Sequence, residues 1–156
     1  MKNNVIRKNI RIKRRNLNQK IKIDAAIKVA NLVFNFIKVK NIQNVALFHS
    51  FDGEIDTFPL ANLLWKNNKK VFLPKINSFF KRTIYFLKYK RNTNLKLNKF
   101  NIFEPEKISK RKFFIDDLEM ILVPLVAFDK DGNRLGMGFG FYDLLLRNWK
   151  KKKLYL

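Results

Sequence analysis

"EMILVPLVAFDKDGNRLGMGFGFYDLLL", residues 119–146, runs from an apolar stretch into a polar turn, then through three glycines at every second position, then into two aromatics and an aspartate. The apolar run predicts a buried strand over 119–128, "DKDGNR" a turn out of it, and "FYDLLLRNW" a helix over 141–149. Strand, loop and helix in that order form the unit of a parallel sheet, which binds ligands outside the carboxyl ends of its strands. Gly136, Gly138 and Gly140 carry no side chain over their amides, and successive amides of this kind form a nest for anions that opens onto the helix. Arg134 adds a charge-assisted donor suited to a phosphate. The spacing is G-x-G-x-G, neither the dinucleotide fingerprint nor a P-loop. On spacing alone a close-packed turn explains it equally well. Asp143 also reads two ways, as an acid favoured by the first helical turn or as a hard oxygen ligand for Mg²⁺.

Outward from this unit, Ile6, Ile10, Ile21, Ala25, Ala26, Val29, Val33, Phe36 and Ile37 recur at helical spacing. They predict one or two helices over residues 5–38, with a break near "NLNQK" and Asn18 capping the second. "NVALFHSF" reads as a strand, "DGEID" as a loop, and "TFPLANLLWKNNKK" as a helix capped by Thr57 with Pro59 in its first turn. "KVFLPKI" and "TIYFLKY" are further strands, and the closing "KKKLYL" begins another. Residues 90–112 show no period and read as a surface excursion, and no internal repeat is present. The alternation predicts one α/β domain over residues 1–156 with a mainly parallel sheet.

Lysine and arginine number 34 against 12 acidic residues, a formal net charge of +22. Such an excess suits phosphate binding through counterion release. Composition offers another source, since Lys, Asn, Ile and Phe, whose codons are rich in A and T, supply 75 of the 156 residues. The lysines are spread along the whole chain rather than gathered on one segment, which favours the compositional source. No apolar run is long enough to span a membrane and no secretory leader is present, so a soluble cytoplasmic protein is expected. Without cysteine the chain has no disulfides and no thiolate metal sites.

"VPLVAFDKDGNRLGMGFGFYDLLL", residues 123–146, resembles the signature of the 5-formyltetrahydrofolate cyclo-ligases, whose usual form is close to VPGxAFDxxGxRLGxGxGYYDxxL. "LFHSFDGEIDTFPL" resembles that family's strand and E-[IV]-[DE]-T segment, "VFLPKI" its next strand, and "RKNIRIKRRNLN" its basic N-terminal helix. The resemblance implies a three-layer αβα domain with a mainly parallel sheet, similar to the CoA transferases. It further implies an enzyme that uses ATP and Mg²⁺ to phosphorylate the formyl oxygen of 5-formyltetrahydrofolate, after which N10 closes the ring to 5,10-methenyltetrahydrofolate. Carried over residue by residue, it implies a nucleotide site of Arg7, Arg134, Leu135, Gly136, Met137, Gly138, Phe139, Gly140, Phe141 and Tyr142. Arg134 and Asp143 take the catalytic roles, with Asp143 the magnesium ligand. His49, Glu54 and Met137 to Phe141 fall at folate positions, Glu54 recognising the pterin. A monomer is expected, with the folate as partner and no specific nucleic acid.

The chemistry asks for these types. Phosphoryl transfer to a formyl oxygen needs positioning and charge neutralisation more than a covalent nucleophile. A carboxylate accepts paired N–H donors from a pterin edge and so rejects analogues lacking them. Taken without the resemblance, Glu54 reads as a solvated loop acid, His49 as an ordinary strand residue, and Phe139, Phe141 and Tyr142 as core.

Three departures from the family pattern stand out. Asn3 occupies the place of the lysine in the family's Lys-x-x-x-Arg pair. The loop reads GFGFYD, with one tyrosine hydroxyl replaced by Phe141. Family members continue through further strands, a substrate-side glutamine and a late aspartate, so the domain is expected to be incomplete at its C-terminus. A decayed, non-catalytic remnant is therefore one alternative. A basic nucleic-acid-binding module is another, although no RNP-type aromatic pattern, helix-turn-helix signal or zinc ligand set supports it.

Overall fold

Short apolar segments pair side by side in the computed structural model, which describes residues 2–76, 83–106, 111–147, 149 and 154–156. β1 (Asn44–Ala46) lies between β2 (Lys70–Ile76) and β6 (Met120–Ile121), parallel to both. β3 (Ile84–Lys88) turns back antiparallel on β2, giving the order β3-β2-β1-β6 in a mixed, mostly parallel sheet. Beyond β6, Ile121 N donates to Tyr155 O at 2.9 Å and Tyr155 N to Glu119 O at 2.9 Å, a parallel bridge that starts a further strand position. Of the expected "KKKLYL" strand, residues 151–153 lie outside the described residues.

Period-two alternation sorts the core into two faces. Val45, Val71 and Leu73 point to one side, where Ile37 of α2 (Gln19–Val39) and Leu60, Ala61 and Leu64 of α3 (Phe58–Lys66) bury them. Ala46, Phe72, Phe86 and Ile121 point to the other, against Phe113, Leu118, Leu146 and Leu154. The result is a three-layer α/β arrangement, as expected. The helical period of the N-terminal segment resolves into α1 (Lys2–Arg15) and α2, and Asn18 caps α2 by accepting from Lys20 N at 2.8 Å. No helix among the described residues is long and apolar enough to cross a membrane.

Several expectations need correction. The apolar run 119–128 is not one strand. Leu122 N still donates to Ala46 O at 2.9 Å, but Pro124 has no N–H to give, and pairing resumes only as β7 (Ala127–Phe128), antiparallel to β8 (Arg134–Leu135). Asp129 closes the turn of this hairpin by accepting from Asn133 N at 2.8 Å. The helix expected over 141–149 is the five-residue α4 (Phe141–Leu145), with residue 148 outside the described residues. Thr57 takes the N-cap position of α3 as expected, but its side chain makes no capping hydrogen bond. Its hydroxyl donates to Phe48 O at 2.6 Å, while Asp56 accepts from Phe58 N at 2.9 Å. Residues 90–112 carry a hairpin, β4 (Leu95–Leu97) with β5 (Phe103–Pro105), rather than a formless excursion, and residues 107–110 of that stretch lie outside the described residues.

Candidate functional site

Two cavities adjoin beyond the carboxyl ends of β1 and β2, with volumes of about 590 Å³ and 750 Å³. Phe51, Glu54, Ile102, Pro124, Phe139, Phe141 and Tyr142 line both, so the two form one cleft with a shared wall.

The larger cavity is built from the β8–α4 loop and from α1. Gly138 has φ +98°, and a Cβ placed there would lie 3.6 Å from the guanidinium carbon of Arg7. That positive φ is open to glycine and strained for other residues. Gly140 has φ +75° at the residue preceding α4, and its carbonyl accepts from Leu144 N at 3.1 Å. Arg7 reaches across from α1, its Nε donating to Gly136 O at 2.8 Å. Arg134 Nη2 donates to Asp143 Oδ1 at 2.6 Å, and the Asp143 side chain is 74% exposed. The expected residues Arg7 and Arg134 to Asp143 all line this cavity, although 127 positions separate the first from the rest of the group.

The smaller cavity is almost wholly apolar. Phe48 and His49 from the end of β1, Pro74 and Ile76 from β2, and Ile84 from β3 form its floor. Its roof is the β4–β5 hairpin. Phe100, at the tip, packs against Phe139 with ring centroids 4.8 Å apart and planes tilted by 52°, and edge-to-face against Phe141 at 5.6 Å, joining the hairpin to the glycine loop. His49 lies 5.2 Å from the ring of Phe103, with Nδ1 3.2 Å from Ser50 O. His49 lines the smaller cavity and not the larger.

Glu54 sits where the cavities meet. A left-handed pair, Asp52 at φ 53° and Gly53 at φ 76°, turns the chain so that its side chain faces the cleft. One carboxylate oxygen accepts from Phe51 N at 3.3 Å, while the other, Oε1, is buried without a hydrogen-bond partner among the described residues. Burial pushes the Glu54 carboxyl up to about 7 against the pull of the Phe51 amide and Arg14. The Tyr142 hydroxyl is likewise buried without a partner, and burial together with the charge of Glu54 raises it far above its ordinary value. Buried polar atoms are nearly always hydrogen-bonded, so two orphans facing one cleft mark a place for an incoming polar ligand. Among the described residues no group of three or more His, Cys, Asp or Glu could hold a metal unaided. Asp143 alone fits a magnesium ion that arrives with phosphate oxygens of its own.

The hairpin residues Asn98, Phe100, Ile102, Phe103 and Glu104, all lining the smaller cavity, were not expected from the sequence. A signal was present: Leu95 and Leu97 alternate with Lys96, and Asn98 and Asn101 supply turn chemistry. The hairpin is fixed to the sheet by a buried network in which Lys75 Nζ donates to Glu104 Oε1 at 2.7 Å and to Pro105 O at 2.8 Å. Glu104 Oε2 in turn accepts from Asn98 Nδ2 at 3.2 Å.

The profile of the 5-formyltetrahydrofolate cyclo-ligase family matches residues 1–156. The 5-formyltetrahydrofolate cyclo-ligase of Haemophilus influenzae is 44% identical over 147 residues, covering 94% of this chain and 79% of that protein. The enzyme of the same name from Escherichia coli K12 is 38% identical over 144 residues, covering 92% and 79%. Among solved structures, a 5,10-methenyltetrahydrofolate synthetase from Aquifex aeolicus superposes with a TM-score of 0.79 at 32% identity, covering 94% of this chain and 73% of that one. Another from Mycoplasma pneumoniae gives 0.73 at 27%, covering 95% and 79%. The family match runs the length of the chain, which spans about four fifths of the length of the two curated relatives.

Proposed function

Since the chain belongs to the 5-formyltetrahydrofolate cyclo-ligase family, we propose that it converts 5-formyltetrahydrofolate to 5,10-methenyltetrahydrofolate, coupled to conversion of ATP to ADP and phosphate. The observation that carries this reading is the meeting of Arg7, Glu54 and the Arg134–Asp143 segment around one cleft with a polar and an apolar half. The larger cavity suits the triphosphate, with loop amides, Arg7 and Arg134 as donors. The smaller suits the flat rings of the folate, walled by Phe100, Phe139 and Phe141. In this reading the formyl group and the terminal phosphate meet at the shared wall.

In this reading the formyl oxygen attacks the γ-phosphorus and ADP leaves. N10 then attacks the formyl carbon, and cleavage of the carbon–oxygen bond releases phosphate. Arg134 turns from Asp143 toward the phosphates as the nucleotide enters, which places its charge where negative charge develops. The carboxylate of Asp143 would hold the Mg²⁺ that accompanies ATP, and that ion would supply charge neutralisation as negative charge builds up. Glu54 Oε1 accepts from the N–H edge of the pterin, satisfying the oxygen that is otherwise orphaned. The aromatic wall keeps water from the activated formyl group, which would otherwise hydrolyse.

The test is the appearance of the methenyl product by its near-ultraviolet absorbance, with 5-formyltetrahydrofolate and Mg·ATP. Turnover by the 156-residue chain that is lost in both Glu54→Ala and Asp143→Ala is the expected result. A folded chain that gives no product under these conditions would refute it.

A further inference from the structure

α1 is an unusual surface helix, because none of its residues is fully buried. The positions it turns inward are Arg7, Ile10, Arg11 and Arg14, which lie at i, i+3, i+4 and i+7 and are only half-buried. That spacing ordinarily carries an apolar stripe into a core. Here three of the four positions are arginines, so the helix is held chiefly by charge.

The charges converge on Asp52. Its Oδ2 accepts from Arg11 Nε at 2.5 Å and from Arg14 Nη2 at 3.3 Å, and its Oδ1 accepts from Arg15 Nε. Its backbone carbonyl accepts from Arg14 Nε at 2.9 Å, and the other end of the Arg14 guanidinium donates to Leu125 O at 3.3 Å. The Asp52 side chain is 7% exposed, and burial alone would raise its carboxyl, yet the hydrogen bonds and charges of Arg11 and Arg15 hold it below the usual range. The same clamp leaves little room at the next residue, where a Cβ on Gly53 would stand 3.3 Å from Arg14 Cγ. One turn further along α1, Arg7 reaches Gly136 and flanks Gly138 of the anion loop.

We infer that Asp52 is a positioning residue for the nucleotide, acting through the arginines of α1 to hold Arg7 over the glycine loop. It touches neither cavity. Its two ends differ in consequence: the carboxylate gathers α1, and the backbone turn it begins delivers Glu54 to the cleft. Loss of the charge therefore weakens the nucleotide side while leaving Glu54 in place. This inference rests on the larger cavity being the triphosphate site, as proposed above.

The experiment is a double-mutant cycle between Asp52→Asn and Arg7→Ala, read by titration of the full chain with the magnesium complex of β,γ-methylene-ATP. Asparagine keeps the left-handed backbone at this position while removing the charge. Asp52→Asn is expected to weaken nucleotide binding roughly tenfold alone but less than about twofold in the Arg7→Ala background, because both changes remove the same contact. Steady-state rates should show the same split, with a raised KM for ATP and an unchanged KM for the folate. Should Asp52→Asn fail to fold by its melting curve, Arg14→Gln takes its place, with a smaller loss that is again absent when Arg7 is alanine. Equal affinity in variant and parent, or losses that multiply across the cycle, overturns the inference and leaves the proposed function standing. A parent chain that binds no nucleotide overturns both.

Discussion

The two halves of the cleft are built by opposite means. The larger cavity is shaped by backbone and charge: glycines at positive φ, an exposed Arg134–Asp143 pair, and a helix with no buried residue aimed by ion pairs. The smaller is shaped by side-chain packing, with Phe100 of the hairpin set against Phe139 and Phe141 and a buried Lys75–Glu104 pair behind them. The Arg134–Asp143 pair can rearrange when a ligand arrives, because it is partly solvated and weak. A packed site is already formed and resists change. The difference fits a reaction in which a charged group must move while a flat ring system stays in place.

The sharpest way to break this contrast is at Lys75. Lys75→Met leaves Glu104 charged and buried without its partner, which is expected to cost about 3–5 kcal/mol of stability by denaturant unfolding. Replacing both, Lys75→Met with Glu104→Leu, should recover most of that loss. A charge on the polar side should behave differently. Arg134→Ala is expected to lower kcat/KM about 100-fold, as for loss of a donor aimed at developing charge, with almost no shift in melting temperature. Coincident losses of stability in the two variants would erase the distinction drawn above.

Glu54 belongs to both halves, and its variant sharpens the boundary between them. Its folded-state value of about 7 stands above the ordinary 4.5, so the folded protein holds a proton across that window which the unfolded chain has released. Stability contributed by the neutral acid is therefore lost as pH rises from about 4.5 to 7, up to about 3 kcal/mol. Glu54→Gln should melt at the same temperature as the parent near pH 4 and higher than the parent at pH 8, while turnover falls. A melting difference that does not change with pH would contradict the burial of this carboxyl. The smallest effect belongs to the apolar side: Phe100→Ala should raise the folate KM about tenfold, the loss of roughly 1.4 kcal/mol of ring contact, and change the KM for ATP much less.

The same division governed what could be read in the sequence. The glycine loop was legible because its requirement is local: positive φ favours glycine at fixed positions, as at Gly138 and Gly140. Strands β2 and β3 were legible from their alternation and sit where "KVFLPKI" and "TIYFLKY" placed them. The run at 119–128 misled because its composition is uniformly apolar, and only Pro124 hinted that pairing with β1 stops after Leu122. The β4–β5 hairpin was hidden because its strands are three residues each and its anchor, Lys75, lies 29 positions away from Glu104. Likewise nothing in "RKNIRIKRRNLN" states that Arg11, Arg14 and Arg15 share one aspartate. Convergence of that kind exists only once the chain has folded.

The wall common to the two cavities carries a last consequence. Glu54, Phe139, Phe141 and Tyr142 cannot adjust to an occupant of one cavity without altering the surface offered to the other. Linkage then makes the influence mutual: whatever factor a bound nucleotide contributes to folate affinity, bound folate returns to the nucleotide. On the proposed reading the two substrates act as reciprocal effectors before they meet as reactants.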